Sequence, residues 1–182
     1  LIADTKSYLQ EVNPSRVIIN GDVKHNFGKI SRTEWQHTFK YISFLEDSYD
    51  VLIIRGNHDV LVEPLVEKFD VEVLTSLDVG LATVTHGHEI VETDKEYTII
   101  GHEHPAVGIQ EGNRVERYKC YLQFSDVLVM PSMNPLNEGS DVLSEKPLSP
   151  YVKQRDREEA RVFIVDGLET LAFSTVSKLR SI

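Results

Sequence analysis

The sequence predicts an α/β fold whose second half turns antiparallel. Apolar strand patterns alternate with amphipathic helical patterns as far as residue 74, the signature of strand–helix–strand units. From residue 106 onward, alternating segments flank Gly112-Asn113 and Asp166-Gly167, both hairpin signals. A chain of 182 residues, 41% hydrophobic and 26% charged, suits one globular domain with a sizeable core.

Residues 4–12 (DTKSYLQEV) read as a helix stopped by Asn13-Pro14, because proline bars the residue before it from helical geometry. Residues 16–20 (RVIIN) form a short buried strand. Ser31 and Glu34 make a capping box that opens a helix with Trp35, Phe39, Ile42 and Leu45 along one face. Residues 51–55 (VLIIR) are the next strand. Glu63-Pro64 suits the first turn of a short helix over 61–69, since proline has no N–H to lose there. Strands follow at 71–74, 81–85 and 97–100. Two alternating runs surround Gly112-Asn113, and a second hairpin centres on Asp166-Gly167 as a type I′ turn. Residues 131–150 hold four of the seven prolines and read as a long loop, polar at 137–141, able to wall one side of a groove.

The bulk properties exclude several classes. No apolar run approaches the roughly 20 residues that span a bilayer, and no secretory leader is visible. The single cysteine, Cys120, excludes a disulfide framework and points to a reducing, cytoplasmic setting. It lies in an alternating run and is expected to pack there. A net charge of −10 argues against coating long nucleic acid by counter-ion release alone. It leaves room for a local basic rim, or for a site whose positive charge comes from metal ions.

Four apolar strands end alike. They run into Gly21-Asp22, into Gly56-Asn57-His58-Asp59, into His86-Gly87-His88, and into Gly101-His102-Glu103-His104. Ligands of open α/β sheets sit beyond the carboxyl ends of the strands. Five of the seven histidines lie at three of these ends, whereas His37, within the first amphipathic helix, is expected to be structural. One Gly-Asp is ordinarily a turn and one histidine ordinarily a packed side chain. Together they make an oxygen and nitrogen ligand set without thiolate, suited to Mn²⁺, Fe or Zn²⁺ in octahedral-like sites.

These motifs, in this order between residues 16 and 104, resemble the calcineurin-like metallophosphoesterases. The resemblance implies a four-layer α/β/β/α sandwich with two mixed sheets around a dinuclear metal site. It implies two divalent ions, Mn²⁺ ahead of Fe or Zn²⁺, bound by Asp22, Asn57, His86, His102 and His104. Asp22 would bridge the pair, because one anion shared between two cations relieves their repulsion. Asn57, His86 and His102 would serve one ion and His104 the other. His58 would be no ligand but a hydrogen-bond or proton donor to the phosphate or leaving oxygen. Asp59 would hold its ring. The ions would clamp the phosphoryl group and activate water for in-line attack.

The Asp-x-His that ends the first strand in that family is absent, and the expectation is a single domain that begins after that strand. Lys24, His25 and Lys29, just after Asp22, resemble a small microbial branch of the family with members linked to DNA repair. Lys24 and His25 are the expected substrate contacts, with Arg55 either facing the site or ending its strand. The expected substrate is a phosphodiester, DNA or a nucleotide among the candidates, with no membrane partner. The competing reading is an inactive scaffold on the same fold. A scaffold has no use for His58 or for the full Asn57, His86 and His102 set, which favours the enzyme.

Overall fold

A computed structural model describes residues 1–23, 32–59, 63–112 and 114–181. The fold is α/β, with two sheets and flanking helices, as the sequence predicts. Two compact units divide it: Leu1–Leu77 with Val84–His86, and Asp78–Thr83 with Gly87–Ile182. Among the described residues, no helix is long and apolar enough to cross a membrane.

The first unit opens with α1 (Ile2–Val12), which ends where Asn13 turns left-handed and donates its N–H to Leu9 O at 2.8 Å. Strand β1 (Arg16–Asn20) follows, then α2 (Arg32–Glu46), β2 (Asp50–Ile54), the short α3 (Glu63–Val66) and β3 (Glu72–Leu74). The three strands form a sheet in the order β1-β2-β3, both pairings parallel. Parallel strands covered on both faces read as continuous apolar runs, and Val51 to Ile54 of β2 are buried without a break. The predicted face of α2 is the one that packs. Ile42 meets Ile53 and Val66, Leu45 meets Leu9 and Val51, and Trp35 stacks on Phe39 with ring centroids 5.0 Å apart. His37 is exposed on the far face. Ser31, the expected helix cap, lies outside the described residues.

The remaining strands are β4 (Ser76–Val79), β5 (Ala82–Thr85), β6 (Tyr97–Ile100), β7 (Pro105–Glu111), β8 (Arg114–Gln123), β9 (Val127–Val129), β10 (Ser140–Asp141), β11 (Arg161–Asp166) and β12 (Glu169–Thr175). Their sheet runs β10-β7-β8-β9-β6-β5-β4, with β11 pairing both β8 and β12. Helices α4 (Pro150–Lys153) and α5 (Val176–Leu179) and a 3-10 turn (Arg157–Glu159) complete the second unit. Its core gathers Ile100, Val107, Cys120, Leu122, Val129, Val152, Val162 and Val176. Cys120 packs there as expected; burial, and then the nearby Asp141 charge, push its thiol up to about 12, which keeps it unreactive.

Two details differ from the sequence reading. The last hairpin pairs Asp166 with Glu169, so Gly167 (φ 58°) and Leu168 occupy the turn, not Asp166 and Gly167. Only the first central residue has positive φ, which is the II′ pattern with glycine leading. Strands β4 and β9 are an alternating run of four residues and an apolar run of three, too short to establish a period.

Candidate metal centre

β1 delivers Asn20 and then turns sharply through Gly21 and Asp22, with φ values of 77° and 51°. β2 delivers the Gly56-Asn57-His58-Asp59 turn, and β5 delivers His86 at its end. All belong to the first unit. His86 is 1% exposed. Its Nδ1 lies 3.3 Å from Asn20 O, a carbonyl that accepts only, so Nδ1 donates there. Nε2 faces Asp22 Oδ2 at 3.3 Å and Asn57 Oδ1 at 3.2 Å. With Nε2 unprotonated these three atoms form a set that a cation joins; with Nε2 protonated His86 donates to Asp22 directly.

The donors suit a divalent ion in size and kind. Ligand bonds of about 2.1 Å set neighbouring donors about 3 Å apart at right angles, close to the separations seen. One carboxylate, one neutral amide oxygen and one imidazole form the hard-to-borderline set that Mn²⁺, Fe or Zn²⁺ accept. The Nδ1 contact to a backbone carbonyl is the usual way a ligating histidine is oriented.

The backbone makes room for this arrangement. A Cβ on Gly21 would lie 2.0 Å from His86 Nδ1, and one on Gly56 would lie 2.1 Å from Asp22 Oδ1. Asp22 Oδ1 accepts the His58 backbone N–H at 3.1 Å, which leaves Oδ2 for His86. Burial pushes the Asp22 carboxyl up, but the hydrogen bond and charge of His86 and the His58 N–H outweigh it and hold the group below the ordinary value. Asp59 is fully buried, and its Oδ2 accepts Gly56 N–H at 2.9 Å, bracing the turn that carries Asn57 and His58. Arg55 follows β2, its backbone N–H donating to Leu74 O at 2.7 Å. Lys24 and His25, the expected substrate contacts, lie outside the described residues, as does Lys29.

The second unit gathers three imidazoles. The His102 ring lies 6.2 Å from that of His88 and 6.5 Å from that of His104. His104 has a left-handed backbone (φ 48°), and Asn137 Nδ2 donates to its Nδ1 at 3.1 Å. Glu103, between the two histidines, is 4% exposed and accepts from Leu148 N at 3.0 Å and Ser149 N at 2.7 Å. Ser149 Oγ in turn donates to Gly87 O at 2.6 Å, tying the segment after β5 to the segment after β6. The sequence assigns no role to Asn137, Glu103 or Ser149. Asn137 and Ser149 sit in the proline-rich loop and its end, with no spacing that links them to a histidine.

No protein-family model matches the sequence, and no curated protein matches it. Among solved structures, the crystal structure of the Pseudomonas putida nuclease MPE superposes with a TM-score of 0.68 over 94% of this chain and 76% of that one. The two chains share a fold. Their sequences are 18% identical, so the likeness speaks to architecture.

Proposed function

We propose that this protein is a metal-dependent phosphoric ester hydrolase that cleaves phosphodiesters of nucleic acid or nucleotides. The observation that carries the reading is the meeting of His86 Nε2 with Asp22 Oδ2 and Asn57 Oδ1, both oxygens of ligand type within 3.3 Å of it. The fold shared with a protein named a nuclease supports the choice of chemistry. We assign Asp22, Asn57 and His86 to one ion; the resemblance to metallophosphoesterases adds His102 to that ion and His104 to a second. Mn²⁺ heads the candidates, with Fe or Zn²⁺ next.

When bound, such ions supply Lewis acidity and a nucleophile drawn from water. The chain supplies position and a proton. The His58 N–H fixes Asp22, and the Asp59 carboxylate fixes the turn. In this reading the His58 side chain then donates to the leaving oxygen, and Lys24, His25 and Arg55 contact the substrate. A cytoplasmic location is proposed on the lone buried thiol.

The test uses the Mn²⁺-loaded protein. Bis(p-nitrophenyl) phosphate should be hydrolysed faster than p-nitrophenyl phosphate. His58→Ala should keep its manganese by elemental analysis while turnover falls roughly 10²–10⁴-fold. A monoester preference of about tenfold or more, some 1.4 kcal/mol, overturns the diester assignment. Manganese bound with neither ester hydrolysed identifies a scaffold.

A further inference from the structure

We propose that the groove between the β7–β8 hairpin and the loop over 131–144 binds the nucleoside arm of a phosphodiester substrate. The proposal rests on the phosphodiesterase reading above, and it adds where the second ester arm lies. The groove has a volume of about 750 Å³ and is open to solvent. Small-molecule sites commonly enclose about 300–1,000 Å³.

The loop side is a braced wall. Lys119 Nζ donates to Ser132 O at 2.8 Å and to Asn134 O at 2.5 Å. Arg117 spends one N–H on Gly139 O and another on Glu145 Oε1, each at 2.8 Å. Asp141 accepts from Gly108 N at 3.2 Å, Leu143 N at 3.0 Å and Ser144 Oγ at 2.6 Å. The charges of Lys119 and Asp141 are thus committed to holding the walls in place. They do not make the groove an ion trap.

One end of the groove is fixed to His104. Ser140 N–H donates to His104 O at 2.8 Å, and Asn137, a lining residue, reaches the His104 ring. A Cβ on Gly139 would lie 2.6 Å from His104 O, so the loop approaches that histidine as closely as a backbone can. A phosphate held near His104 would send one ester arm along the groove.

The lining matches a nucleoside better than a plain aryl group. Val115, 65% exposed, Pro135 and Leu143 give apolar surface for a flat ring. The planar guanidinium of Arg117 adds a stacking partner. Gln110 and Ser144 place hydrogen-bonding groups at the walls, where a base presents donors and acceptors along its edge.

Two measurements test the proposal. In ¹⁵N-labelled, metal-free protein, thymidine 5′-monophosphate should shift the amides of Gly108, Gln110 and Ser144. Val115→Asp, a change at an exposed wall position, should weaken that binding about tenfold, within the range of one base stack. In Mn²⁺-loaded protein the same variant should lower the ratio of kcat/KM for thymidine 5′-(p-nitrophenyl phosphate) to that for bis(p-nitrophenyl) phosphate, again about tenfold. Shifts confined to amides outside the groove, or an unchanged ratio, would overturn the assignment. Groove shifts in a protein that hydrolyses neither ester would support the groove and sink the catalytic reading.

Discussion

Asp22 and His104 hold left-handed backbone conformations, φ 51° and 48°, that non-glycine residues occupy at a cost of roughly 1–3 kcal/mol. Among the described residues the only other such position is Asn13, at a helix end, where it is routine. Strain at two expected ligands, in different parts of the chain, follows if each backbone is bent to aim a side chain. Gly21 carries the same demand further, because its φ of 77° and the 2.0 Å approach to His86 both exclude a Cβ. Gly21→Ala should therefore cost at least about 1 kcal/mol in urea denaturation and weaken Mn²⁺ binding by calorimetry. Unchanged stability and affinity would show that the His86 approach is not tight in solution. The glycines and the donors Asp22, Asn57 and His86 were legible in the sequence, because each ends a strand with residues that have no packing role there. The carbonyl of Asn20 was not. A backbone oxygen carries no sequence signature, and its partnership with His86 exists only once β1 and β5 are placed.

At the level of elements, the segments after β5 and β6 are held through Glu103 and Ser149. Burial keeps the Glu103 carboxyl above its ordinary value, although the N–H groups of Ser149 and Leu148 pull the other way. A carboxyl raised by folding contributes stability that is fully present below its unfolded value, near 4.5, and lost as pH rises through the folded value. In metal-free protein, the stability of the wild type relative to Glu103→Gln should therefore decline from pH 4 to pH 7 by urea denaturation. A difference that does not change with pH would mean that the carboxylate is fully compensated. Gly101-His102-Glu103-His104 was readable as a motif, yet Glu103 had no assigned task, because its partners lie some 45 residues away in a loop without periodicity. The helical face of α2 and the apolar run of β2 were readable for the opposite reason, since burial there repeats along one element.

For the whole molecule, the strand–helix alternation followed by hairpins gives the α/β class, and the likeness to a solved nuclease at 18% identity shows how far such a fold persists while sequence diverges. What cannot be read from a periodic pattern is the role of each strand end, since four weak signals become a site only when their donors converge. The central claim is that Asp22, Asn57 and His86 hold a divalent cation, and crystals of the Mn²⁺-loaded protein test it most directly through anomalous scattering at the manganese edge. The account predicts an anomalous peak about 2.0–2.3 Å from His86 Nε2, Asp22 Oδ2 and Asn57 Oδ1. Crystals without a peak there, in which His86 Nε2 instead donates a proton directly to Asp22, would contradict it.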